Sequence, residues 1–152
     1  MSRDVGAGKG TIIKMLDLLT KANVIHPVYP YSAGKGKVRK EPKYLFTSPT
    51  IREILLSFLG EEERAVGLIR EDLFAMHIDD LFYLKTGPDY IWRNTLFEIG
   101  GERKTTEQFK QFKQFKITKK MRKYVIHEGL QITSNEINEI IRLPFYIFLS
   151  YF

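Results

Sequence analysis

Gly87-Pro88-Asp89-Tyr90-Ile91-Trp92-Arg93-Asn94-Thr95-Leu96-Phe97-Glu98-Ile99-Gly100-Gly101 is the stretch on which the reading of this chain turns. Two apolar runs flank Arg93-Asn94, which predicts strands Asp89–Trp92 and Thr95–Ile99 joined by a two-residue turn. That turn sets the register. Trp92 faces Thr95, Ile91 faces Leu96, Tyr90 faces Phe97, and Asp89 faces Glu98. Directly opposed side chains have Cβ atoms about 5 Å apart, so two carboxylates there repel unless a cation or a proton lies between them. A hard divalent ion such as Mg²⁺ or Mn²⁺ answers that need through Asp89 and Glu98, and so does a neighbouring Lys or Arg without metal. Both faces of the hairpin are apolar, which predicts helices packed on each side. Glu71, on a preceding helical segment, is a third candidate acid.

Upstream, Thr11–Asn23 has a helical pattern, with Ile12, Met15, Leu16, Leu19 and Ala22 on one face. Val24–Tyr31 reads as an edge strand because Pro27 and Pro30 remove ladder donors. A Gly/Lys-rich tip, Ser32–Lys40, leads into a return strand at Lys43–Thr47. A helix followed by a hairpin with a basic tip is the order of a winged helix-turn-helix. Ser48 and Pro49 then open a helix over Ile51–Leu59. Glu62–Asp80 reads as a longer helix with Val66, Ile69, Leu73, Met76 and His77 inward. Phe82–Lys85 is a short strand, Thr105–Phe115 a helix striped with Phe109, Phe112 and Phe115, and Lys123–His127 a strand. Periodicity leaves Leu143–Phe152 open between helix and strand.

The chain's 152 residues are 43% hydrophobic and carry no cysteine, which excludes disulfide and thiolate chemistry and suits a cytoplasmic protein. The apolar run Leu143–Phe152 is too short to span a bilayer, so no membrane role is expected. Net charge is +6, and it is clustered. Arg103–Lys123 holds nine basic residues, among them Lys104, Lys110 and Lys113, against Glu107 alone. Lys35, Lys37, Arg39 and Lys40 crowd the hairpin tip, and Lys9 and Lys14 accompany the first helix. Two separate clusters form an electrostatic footprint for phosphate backbones, with double-stranded DNA the expected partner.

Gly6-Ala7-Gly8-Lys9-Gly10-Thr11 imitates the end of a phosphate-binding loop. The full motif needs glycine where Arg3 stands and a buried strand upstream. No ATP-binding residue is therefore assigned, and the stretch reads as a glycine-rich turn entering a helix.

The Pro-Asp pair and the following strand with glutamate resemble the PD-(D/E)XK nuclease fold. More closely, YLKTGPDYIW…LFEIGGERKTTEQF, GTIIKMLDLLTKANVIHPVYPY and KYLFTSPTIREILL resemble the C-terminal region of archaeal AAA-type ATPases. The resemblance implies an α/β (α+β) chain: a winged helix over residues 1–47, then a restriction-endonuclease-like α/β/α domain over 48–152. It also implies an ATPase domain that this chain lacks, so the chain looks like a C-terminal piece. Glu71, Asp89 and Glu98 match the acidic positions of the nuclease site. The lysine belongs two residues after Glu98, where Gly100 stands, and Lys104 is the nearest substitute in sequence.

Three functions compete on this reading. The first is a DNA-binding module of an ATPase whose nuclease site is inactive for want of that lysine. The second is a Mg²⁺- or Mn²⁺-dependent DNA nuclease with a migrated lysine, and the third a protein-interaction module.

Overall fold

A computed structural model describes residues 6–31, 41–101, 104–111, 121–135 and 139–151. The order is α1 (Lys9–Lys21), β1 (Ile25–Pro30), β2 (Lys43–Phe46), α2 (Pro49–Leu59), α3 (Glu62–Ala75), β3 (Phe82–Tyr83), β4 (Tyr90–Trp92), β5 (Thr95–Gly100), α4 (Glu107–Gln111), β6 (Arg122–His127), β7 (Thr133–Asn135), β8 (Ile140–Pro144) and α5 (Phe145–Tyr151). The strands form one mixed sheet in the order β2-β1-β3-β4-β5-β6-β8-β7. The expected α/β class is therefore observed.

The central hairpin has the register its turn dictates: Trp92 opposite Thr95, Ile91 opposite Leu96, Tyr90 opposite Phe97. Arg93 takes the left-handed conformation at φ 52° and lays its guanidinium over the Trp92 ring, 4.4 Å from the centroid. From β5 the sheet continues by parallel pairing with β6, and from β6 with β8. At the other side β1 pairs antiparallel with β2 and parallel with β3 through Tyr29 and Pro30. The first hairpin thus belongs to the same sheet as the central one.

Alternate residues of the hairpin feed two cores. Tyr90, Phe97 and Ile99 join Phe74 of α3 and Phe148 of α5, while Ile91 and Leu96 join Phe109 of α4 and Val125. The period-two pleat sends neighbours to opposite faces, and both faces are covered by helices. Phe74 is the hub of the larger core. Its ring stacks on Phe148 at 4.9 Å and meets Phe97 edge-on at 5.0 Å.

Several sequence expectations need correction. The long helix ends at Ala75, and its inward residues are Ala65, Asp72, Phe74 and Ala75, whereas Val66 and Met76 are exposed. The cause is Asp72, which is fully buried because Arg52 and the Phe46 N–H bind its carboxylate. A pattern that sends every charge outward rotates the helix by about one residue. On α1 only Ile12, Leu16 and Thr20 are half-buried, and Met15 and Leu19 are exposed. Ser48 occupies the N-cap of α2 without a side-chain cap bond. The C-terminal apolar run divides at Pro144, which ends β8 before α5 begins.

Candidate functional site

Asp89 stands one residue before β4. Its carbonyl accepts from Leu84 N–H at 2.9 Å, and its Oδ2 accepts from Ile99 N–H at 2.8 Å. The carboxylate is therefore tied to the backbone of β5, one residue beyond Glu98. Glu98 is 1% exposed, and the Asp89 backbone favours its charged form. The ladder between β4 and β5 runs to Tyr90 and Phe97; beyond it Asp89 is joined to β5 by the bond from the Ile99 N–H, and its charge acts on Glu98.

Lys104 completes the group. Its ammonium pairs with Glu98 Oε1 at 2.7 Å. A Cβ placed on Gly100 would lie 2.6 Å from the Lys104 Cδ and 2.9 Å from its Cγ. The aliphatic stem of Lys104 thus fills the space where a side chain at position 100 would begin. Two contacts hold this path: Lys104 N–H donates to the Gly101 carbonyl at 3.0 Å, and Arg142 of β8 donates from Nη1 to the Lys104 carbonyl at 2.7 Å.

Burial pushes the Glu98 carboxyl up to about 7, further raised by the Asp89 charge and opposed by Lys104. Asp89 is also raised by burial, against the pull of the Ile99 N–H and Lys104. Burial pulls the Lys104 ammonium down, but its bond to Glu98 and the charge of Asp89 outweigh this and raise it. Glu98 Oε2 is buried and meets no protein donor among the described residues. A buried carboxylate oxygen without a donor is satisfied by a proton or a cation, so the pair fits a hard divalent ion. Among the described residues no three His, Cys, Asp or Glu side chains group closely enough to hold a metal by themselves. Water and a ligand oxygen would have to complete the shell.

Glu71 is engaged elsewhere. Its Oε2 accepts from the Tyr90 hydroxyl at 2.6 Å and pairs with Lys43 of β2. Its charge still reaches Asp89 and Lys104. In sequence Lys43 is one of the basic residues of the first hairpin, and nothing local ties it to an acid 28 residues away.

Lys9 and Lys14 are exposed on α1, and Lys110 is exposed on α4. Gly8 forms the N-cap of α1, so the glycine-rich stretch leads directly into a helix. Lys35, Lys37, Arg39, Lys40 and Lys113 lie outside the described residues, as do Phe112 and Phe115. No described helix is long and apolar enough to cross a membrane.

No protein-family model matches the chain, and no solved structure matches it. It is similar to Uncharacterized protein MJ1637 of Methanocaldococcus jannaschii, with 33% identity over 81 residues. The match covers 52% of this chain and 17% of that relative, so the chain spans a small part of the relative's length.

Proposed function

We propose that the chain is a metal-dependent nucleic-acid phosphodiesterase unit acting on duplex DNA, with Lys104 standing in for a lysine at position 100. The observation that carries this reading is the Lys104 stem lying across Gly100 with its ammonium on Glu98. Glycine at position 100 brings no charge to that point, and the Lys104 ammonium would supply one. Asp89 and Glu98 would hold Mg²⁺ or Mn²⁺, which neutralises phosphate charge and makes a water molecule more acidic. Lys104 would orient the attacking water and stabilise charge developing on the phosphate. Buried Glu98 keeps the ammonium in place, and the Ile99 N–H fixes the Asp89 carboxylate. The exposed Lys9, Lys14 and Lys110, with the basic hairpin tip, would grip the DNA backbone.

Linear duplex DNA incubated with Mn²⁺ tests the reading. Cleavage that is lost in Asp89→Asn and Lys104→Met supports it. Absence of cleavage with both Mg²⁺ and Mn²⁺ overturns it.

A second reading has its own support. With Glu71 held by Lys43 and Tyr90, Asp89 and Glu98 are the acids left to the site among the described residues, which fits a DNA-binding module of an ATPase that does not cut. Salt-sensitive duplex binding without cleavage is its signature.

A further inference from the structure

Lys43 and Lys104 both act through their charge on the Asp89 carboxyl. Lys104 reaches it from the loop after β5, whereas Lys43 comes from the first hairpin, where it opens the return strand β2. Its Nζ lies 5.4 Å from the Tyr90 ring centroid, and Tyr90 is the chain neighbour of Asp89. Tyr90 and Lys43 converge on one oxygen of Glu71, so that acid positions the ammonium. The Lys43 side chain remains 37% exposed. An ammonium has three donors, and Glu71 takes one. In sequence Lys43 follows three residues after Lys40, the end of the basic tip.

We propose that Lys43 binds a backbone phosphate of duplex DNA next to the Asp89–Glu98–Lys104 group, linking the basic hairpin to the site of cleavage. The inference rests on the duplex-DNA reading above. Glu71 is then a positioning residue: it holds Lys43 in place and competes with phosphate for the ammonium. A compact ammonium serves phosphate as a point charge, and the Tyr90 hydroxyl keeps Glu71 satisfied when Lys43 turns to its ligand.

The test is duplex binding with Ca²⁺ in place of Mg²⁺, followed across a salt series. Lys43→Met is expected to weaken binding about tenfold and to reduce the slope of log Kd against log salt by about 0.9, one phosphate contact fewer. Lys43→Arg should keep the slope. Glu71→Gln, which removes no contact to DNA, should tighten binding several-fold, and this gain should vanish in the Lys43→Met background. An unchanged slope in Lys43→Met, or a gain from Glu71→Gln that persists without Lys43, overturns the inference while leaving the nuclease reading intact. A reduced slope without cleavage in Mn²⁺ keeps the inference and removes the nuclease reading. Absence of duplex binding by the wild type removes both.

Discussion

Lys104 lies across Gly100: a Cβ at that position would come within 2.6 Å of the lysine stem, whose ammonium reaches Glu98 at 2.7 Å. The two positions share one volume. Gly100→Ala should therefore displace Lys104 and, on the proposed nuclease reading, lower DNA cleavage about as much as Lys104→Met, on the order of 100-fold. The two changes together should cost little more than either alone, because they remove the same interaction. Steady-state rates of the three variants check this; additive losses would show that Gly100 acts elsewhere.

Arg142 fixes the path of Lys104 through its carbonyl. On the proposed nuclease reading Arg142→Met should lower kcat about tenfold with KM little changed, because the ammonium is less well held while the lysines proposed to grip phosphate remain. A change confined to KM would contradict this.

Glu98 sets a pH dependence of stability. Its carboxyl is raised from 4.5 to about 7 in the fold, mainly by burial. Between those values the folded state holds a proton that the unfolded chain has released, so stability declines as pH rises across that window. In chelator, Tm should fall from pH 5 to pH 8, and Glu98→Gln should flatten the curve. A wild-type Tm that rises over this range would contradict the assignment.

Asp72 is fully buried between Arg52 and the Phe46 N–H. Asp72→Ala strands both donors and should cost about 3–5 kcal/mol, measurable by urea denaturation. Arg52→Met with Asp72→Leu should cost less than Asp72→Ala alone, since the apolar pair leaves no buried charge.

Phe74 and Phe58 form a matched contrast. Phe74 is 0% exposed at the centre of the aromatic core, and Phe58 on α2 is 85% exposed. Phe74→Ala should destabilise by about 3–5 kcal/mol. Phe58→Ala should change stability by less than about 0.5 kcal/mol. Similar losses for the two would place a partner surface over Phe58.

What could be read from the sequence was what short-range geometry dictates. A two-residue turn at Arg93-Asn94 fixes which residues oppose one another, so the pairs Tyr90–Phe97, Ile91–Leu96 and Trp92–Thr95 are legible from the turn alone. The apolar character of both hairpin faces likewise announced helices on each side. Tertiary structure alone decided the rest. Parallel pairing of β5 with β6, and of β6 with β8, joins segments far apart in the chain and has no turn to announce it. The inward face of α3 was misread because Asp72 counts as a surface residue until Arg52, 20 residues away, neutralises it. Lys43 reaches Glu71 only because the first hairpin joins the sheet beside β3. Lys104 replaces a side chain at position 100 only because the loop after β5 turns back across a glycine, a path held by Arg142 from a strand 38 residues on. Opposed pairs across a tight turn are set by covalent geometry, whereas charges that meet from distant segments are set by packing of the whole chain.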